Sequence, residues 1–203
     1  MKRQIKHTFV VGVDEAGRGP LAGPVAVGVA VVPHSFDWNL LKGVGDSKKV
    51  SPRNREILFR EATKLKKEGV LTFAVSLVSE STIDRINISR AVELGIERCF
   101  KKLALEPEKT RVVLDGLLKA PPQFTDQETI IKGDAKEKVI GLASILAKVT
   151  RDRFMVRIAN DYPEYGFEVH KGYGTERHRT ALQKHSLSKV HRRTFCKKFI
   201  TIQ

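Results

Sequence analysis

The stretch Val10-Val11-Gly12-Val13-Asp14-Glu15-Ala16-Gly17-Arg18-Gly19-Pro20 decides how the rest of the chain is read. An apolar run of strand length ends in two adjacent carboxylates, then in a loop of two glycines, an arginine and a proline. The run suits a buried strand. Carboxylates where a strand leaves the core are costly unless they are paired or bind a cation. Glycine lets a backbone come close to a ligand with its N–H groups turned toward it. One end of this strand therefore offers oxygen ligands for a hard cation beside a set of backbone donors. An Asp-Glu pair alone reads as a solvated strand end; the attached Gly-Arg-Gly-Pro turns the reading toward a site.

Working outward, Pro24–Val32 is a second strand, apolar on both faces and rich in small residues, hence central. The short Leu21-Ala22-Gly23 connection makes the two strands an antiparallel hairpin. Residues 33–51 read as a long loop. Ser51 and Pro52 supply an N-cap and a first helical position, for a helix that closes at Gly69 and turns Leu58, Ala62 and Leu65 inward. Val70–Val78 is a third strand alternating through Leu71, Phe73, Val75 and Leu77. Either Ser81 or Ser89 caps the next helix, whose stripe Ile88, Val92, Ile96, Cys99, Leu103 predicts an amphipathic segment over 89–104. Arg111–Gly116 repeats the opening pattern of apolar strand, acid, glycine. A short strand at 128–131 leads to a polar turn carrying Asp134. A long helix over 137–159 has small residues (Gly141, Ala143, Ser144, Ala147) for close packing on the sheet, with Arg151-Asp152-Arg153 on its outer surface. A further helix spans about 176–184. This order predicts an α/β chain: a mixed sheet with helices on both faces, plus a C-terminal helical lobe, all in one domain over 1–203.

Composition narrows the function classes. A chain of 203 residues with 41% hydrophobic content can bury one sizeable core and is not dominated by disorder. No apolar run is long enough to span a membrane. The basic start Met1–Lys6 leads straight into the first strand without the pattern of a signal peptide. Cys99 and Cys196 have neither metal-binding nor redox spacing, which suits a reducing cytoplasm. The formal charge of +14 favours a polyanionic partner. From His170 to Lys198 there are nine Lys/Arg, one Glu and four of the six histidines, so the excess is clustered in a basic region of about 160–203. The histidine spacings of eight, seven and six do not fit a zinc finger. These histidines read as surface or phosphate-facing groups.

Asp14, Glu15, Asp115 and Asp134 arrive from three separate segments, each at a strand mouth or a turn. Acids gathered without histidine or cysteine ligands select Mg2+ or Mn2+. Adjacent side chains on a strand point to opposite faces. Asp14 and Glu15 can then share a site only if the extended geometry breaks, or if one lends its carbonyl. No nucleophile elbow, nucleotide-hydrolase phosphate loop or dinucleotide fingerprint is present.

The segment Asp14-Glu15-Ala16-Gly17-Arg18-Gly19-Pro20 resembles the opening signature of the type 2 ribonucleases H, those of bacterial ribonuclease HII in particular. The likeness continues, in the family's order, through Asp46-Ser47-Lys48-Lys49, Asp115-Gly116, Lys132-Gly133-Asp134, Ala143–Asp152, His170–Thr175 and His191–Phe195. Gly141 stands where alanine is expected. The resemblance implies a ribonuclease H-like fold and endonucleolytic cleavage of the RNA strand of RNA·DNA hybrids. It also implies nicking 5′ of single ribonucleotides in duplex DNA, by a two-metal-ion mechanism. The implied metal ligands are Asp14, Glu15 and Asp115, with Asp134 completing the catalytic acids. Gly17, Arg18 and Gly19 would read the ribose 2′-hydroxyl and Tyr173 the junction to deoxyribose. Lys48, Lys171 and Arg192 would contact substrate phosphates. A monomeric cytoplasmic enzyme is expected. Three rivals stay open: a ribonuclease HIII-type hybrid nuclease, a basic duplex-binding protein without catalysis, and a resolvase or integrase of related fold.

Overall fold

The computed structural model describes residues 7–45 and 50–199. Its centre is a five-stranded sheet in the order β3-β2-β1-β4-β5, built from β1 (Phe9–Ala16), β2 (Val25–Pro33), β3 (Thr72–Val78), β4 (Thr110–Asp115) and β5 (Gln127–Ile130). β1, β2 and β3 are antiparallel neighbours, while β1–β4 and β4–β5 run parallel. The sheet is therefore mixed, and parallel β1 and β4 deliver their acidic C-terminal ends to the same edge.

Helices cover both faces. On one, α2 (Glu80–Leu103) packs on Val11, Val13, Val25, Val27 and Val29. On the other, α1 (Pro52–Lys67) and α4 (Lys138–Ala159) pack over Ala30, Val32 and Val113. Small residues in the strands set the distance to α4. A Cβ on Gly12 would lie 2.3 Å from the Val139 carbonyl oxygen, and one on Gly28 would lie 2.3 Å from that of Ala143. Every residue of α4 from Val139 to Ala147 is buried, so this helix is a core element rather than a one-sided one. Cutting the fully buried Leu142 or Leu146 to Ala would cost about 2–5 kcal/mol.

A third apolar cluster joins Leu21 and Ala22 to Met155, Tyr165, Phe167, Leu182 and Cys196. It is the core of a helical C-terminal lobe made of α5 (Phe167–His170), α6 (Glu176–His185) and α7 (Arg193–Cys196). A short helix, α3 (Gly133–Lys136), separates β5 from α4.

Several local expectations change. α2 begins earlier than its apolar stripe suggests: Ser79 is the N-cap, accepting from the Thr82 N–H. The helix breaks at Asn87, whose φ is +67° and whose side chain accepts from the Arg90 N–H, recapping the second half. Neither Ser81 nor Ser89 is the cap. In β3 the buried positions are Ala74 and Val78, while Phe73 and Val75 face the α1/α4 side; the strand is covered on both faces, which defeats a simple alternation. Arg151 is not on the outer surface of α4 but is fully buried.

Candidate active site

The sheet edge made by β1 and β4 opens into a cleft of about 380 Å3 lined by Asp14, Glu15, Ala16, Gly17, Arg55, Asp115, Asp134, Ser144, Lys148 and Tyr173. All four sequence-predicted acids border it. The strand does not break to achieve this. β1 keeps its antiparallel register through Asp14, Glu15 and Ala16, opposite Gly28, Val27 and Ala26. Asp14 lies on the α4 side with Ser144, and Glu15 on the α2 side beside Val92 and Ile96. Both reach the cleft because they stand at the end of the sheet, where side chains of opposite faces meet around the rim.

Each acid is held by its surroundings. Asp14 is 5% exposed; its carboxylate accepts from the Glu15 N–H at 2.7 Å and bonds to the Ser144 side chain. Burial pushes its pKa up to about 8, and the charges of Glu15 and Asp115 push the same way. Asp115 accepts from the Gly133 N–H at 2.6 Å, which ties the end of β4 to the start of α3. Asp134 is buried in the first turn of α3. Gly141 does bear on this corner: a Cβ there would lie 2.9 Å from the Asp134 carbonyl oxygen and 2.8 Å from that of Gly45. Alanine at 141 would require this corner to shift.

The donor set fits a hard divalent cation, since every acidic ligand is a carboxylate and Asp14 is disfavoured as an anion among like charges. Among the described residues no group of three acids, histidines or cysteines could by itself hold a metal ion. The acids ring an open cleft, a form suited to ions shared with a substrate phosphate.

The turn from β1 to β2 forms one wall, and two buried arginines hold it. Arg192 donates to the carbonyls of Gly17 (2.7 Å), Arg18 (2.8 Å) and Gly23 (2.9 Å). Arg151 donates to those of Ala22 (3.1 Å), Pro24 (2.9 Å) and Lys171 (3.0 Å). Gly17 is obligatory: its φ is +91°, and a Cβ would lie 2.0 Å from the Arg151 Nε. Arg18 is half-exposed and reaches Glu15 at 3.7 Å and the Ser89 hydroxyl at 3.4 Å; Gly19 has open space beside it. Arg192 is thus no phosphate contact: it is fully buried, and its guanidinium binds the turn instead of solvent. Burial and the neighbouring Arg151 lower its pKa to about 9, which leaves it charged at neutral pH.

Tyr173 is 42% exposed at the mouth of the cleft, its ring centroid 5.8 Å from Lys148 Nζ and 5.7 Å from Arg151 Cζ. Lys171 does not border the acids. Its side chain bonds the Glu168 carbonyl, and it lines a neighbouring groove with Arg153 and Arg157; Arg55 borders both groove and cleft. Lys48 lies outside the described residues. The histidines are not surface groups either: His170, His178 and His191 are buried, and of the C-terminal four only His185 is exposed.

Sequence reasoning missed Ser144, Lys148 and Arg55 as cleft residues. Ser144 and Lys148 are one turn apart in the most buried stretch of α4, and polar residues at that spacing in an apolar helix were a readable signal. Arg55, on the exposed start of α1, offered none.

The sequence model described as Ribonuclease HII matches residues 11–198. The ribonuclease HII of Endomicrobium trichonymphae is 46% identical, over 92% of this chain and 84% of its own length. That of Caldicellulosiruptor bescii is 43% identical over 97% and 90%. The crystal structure of ribonuclease H2 from Pyrococcus horikoshii superposes with a TM-score of 0.71 at 32% identity, covering 94% of this chain and 96% of that one. A ribonuclease HIII crystallised with Mn2+ shares the fold at a TM-score of 0.63 and 18% identity, with only 64% of its chain covered. With the acids, the glycine-arginine turn and the sheet order all in place, the chain belongs to the ribonuclease HII family of hydrolytic endonucleases.

Proposed function

We propose that the cleft cuts the RNA strand of RNA·DNA hybrids and nicks duplex DNA 5′ of a single embedded ribonucleotide, leaving a 3′-hydroxyl and a 5′-phosphate. The observation that carries this reading is one cleft bordered by four carboxylates, the Gly17 turn and Tyr173. Asp14, Glu15 and Asp115 would hold two divalent ions, Mg2+ or Mn2+, with Asp134 completing the acidic set. When bound, such ions supply Lewis-acid stabilisation of the phosphate and a more acidic water. The protein's own part is positional. The Glu15 N–H and the Ser144 side chain orient the Asp14 carboxylate, and the Gly133 N–H orients that of Asp115.

The Gly17-Arg18-Gly19 turn would read the 2′-hydroxyl that separates RNA from DNA. Because the Gly17 and Arg18 carbonyls already accept from Arg192, this falls mainly to the turn's N–H groups. Tyr173 would pack on the following deoxyribose, where an added hydroxyl crowds the ring. The 2′-hydroxyl is recognised and is not the nucleophile, so no cyclic phosphate forms. The basic region of about 160–203 and the groove of Arg55, Arg153, Arg157 and Lys171 would hold the duplex by its phosphates in a single-domain, monomeric, cytoplasmic enzyme.

The test is a labelled duplex with one ribonucleotide, incubated with Mg2+, Mn2+ or a chelator, the product ends then typed by phosphatase and ligase. Metal-dependent nicking with ligatable ends is expected. A 2′,3′-cyclic end, or cleavage of long hybrids with no cut at a lone ribonucleotide, would overturn the reading.

A further inference from the structure

Behind Tyr173 the lobe buries a chain of polar groups that the cleft chemistry does not use. The Ser188 N–H and hydroxyl lie 3.0 and 2.8 Å from His191 Nδ1. His191 Nε2 lies 3.0 Å from His178 Nε2, and His178 Nδ1 lies 2.9 Å from the Tyr173 carbonyl oxygen. Both rings are buried, against Tyr165 and Phe167.

The two ends of this chain dictate its protons. A backbone N–H can only donate, so His191 Nδ1 is an acceptor and the neutral ring carries its proton on Nε2. That proton points at His178 Nε2, which must then be the bare nitrogen. The His178 proton is therefore on Nδ1, facing a carbonyl that can only accept. Reasoning from the Tyr173 end gives the same assignment, so one hydrogen-bond direction runs from Ser188 to Tyr173. A third ring supports the same turn: His170 stacks on His178 at 4.5 Å and 14°, and its Nδ1 accepts from the Gly172 N–H. Within the turn Lys171 is held in the left-handed region at φ +51°, a strained position for a residue with a side chain, which such support offsets.

We propose that Ser188, His191 and His178 form a directional hydrogen-bond chain that positions Tyr173 at the mouth of the acidic cleft, making His178 and His191 positioning residues for recognition of the ribose–deoxyribose junction. The proposal rests on the reading of Tyr173 given above. His178 does not line the cleft; it acts on it through the backbone of this turn, at the Tyr173 carbonyl and at Gly172.

Two substitutions of the same ring separate positioning from general support. His178→Asn places an amide N–H where Nδ1 stood; His178→Gln places its amide where Nε2 stood and leaves the Tyr173 carbonyl without that donor. The readout is the ratio of kcat/KM at a single embedded ribonucleotide to kcat/KM on a long RNA·DNA hybrid, with thermal midpoints measured alongside. His178→Gln should lower the ratio about fivefold, the share of one buried hydrogen bond, with His178→Asn close to the parent. Tyr173→Ala is run in parallel. If it leaves the ratio unchanged, the reading of Tyr173 fails. If it lowers the ratio while Asn and Gln at 178 behave alike, the positioning chain fails instead. The unmodified protein gives an answer that needs no variant to fold: 15N chemical shifts must show His178 protonated on Nδ1 and His191 on Nε2. The opposite tautomers would overturn the proposal.

Discussion

Two sets of like charges meet at the turn between β1 and β2, and they are treated in opposite ways. At the strand ends, Asp14, Glu15 and Asp115 face one cleft, and their mutual repulsion adds to burial in pushing the Asp14 carboxyl up to about 8. Beside the turn, Arg151 and Arg192 are buried more deeply still, yet all six of the hydrogen bonds described above end on backbone carbonyls. The guanidiniums need nothing from outside the chain. The carboxylates have partners in the chain too, but burial and the neighbouring acids still hold the Asp14 carboxyl well above its ordinary value, so a proton or a cation completes its balance. Burial of charge alone does not mark a functional site; what marks it is charge left to be neutralised by a ligand.

The largest expected effects test that division directly. Asp14→Asn, Asp115→Asn and Asp134→Asn should each lower kcat/KM by about 1,000-fold, the scale of losing one preorganised charge at a transition state. Their thermal midpoints should not fall. Arg192→Met should do the reverse in kind. It leaves three buried carbonyls without their donor, costs about 3–5 kcal/mol, and at about 2–4 °C per kcal/mol lowers the midpoint by roughly 10 °C. Calorimetry and single-turnover kinetics on the same preparations decide it. A midpoint loss in Asp14→Asn as large as in Arg192→Met would erase the distinction.

Gly17 belongs to both sides, and its substitution is the next effect in size. In Gly17→Ala the new Cβ meets Arg151 and the residue must hold φ near +91°, costing about 2–3 kcal/mol. Because the turn also walls the cleft, cleavage and stability should fall together, unlike in either set of charge substitutions. A variant with full stability and full activity would mean that the turn is softer than its clamp suggests.

The two sides also differ in how far the sequence revealed them. The acidic cluster was legible because the apolar run ending in Asp14-Glu15 leads into Gly17-Arg18-Gly19-Pro20 and is echoed by Leu114-Asp115, which together turn the reading away from a solvated strand end. The hairpin followed from the short Leu21-Ala22-Gly23 connection, and the interior place of β2, between β3 and β1, from Gly28 and its small neighbours. From sequence Arg151 reads as outer surface, Arg192 as a phosphate contact, and His178 and His191 as surface or phosphate-facing groups, whereas all four are buried. A basic residue has the same sequence signature whether water or a carbonyl satisfies it, and five of the six carbonyls that hold the two arginines come from the opposite end of the chain. The stripe of α2 was visible from Val92 to Leu103, but the recapped break at Asn87 was not, since one Asn at positive φ carries no periodicity. That Asp14 and Glu15 share a cleft without a break in β1 was likewise hidden: the rule that neighbours face apart holds, and the rim of the sheet, absent from any sequence pattern, brings them together.

The smallest effect is a pair of opposed pH slopes. Burial lowers His178 and His191 to about 4 from an ordinary 6.5, so between those values the native state binds fewer protons than the unfolded chain. Their contribution is complete above pH 6.5 and is lost as pH falls toward 4, at up to about 1.4 kcal/mol per pH unit for each ring. Asp14 does the opposite. Its folded pKa of about 8 exceeds the unfolded 3.8, so the native state binds the extra proton and stability rises by about the same slope as pH falls through this window. The remaining carboxylates act alike in the parent and in single variants, and they cancel in the differences. Urea midpoints between pH 6.5 and 4.5, without divalent ions, should then decline more steeply in Asp14→Asn than in the parent and less steeply in His191→Gln. At pH 9 Asp14→Asn should be the more stable protein, and added Mg2+ should stabilise the parent more than this variant, because a cation in the cleft takes over the neutralising role of the proton. Parallel curves for all three proteins would show that neither set of buried groups changes its proton affinity on folding.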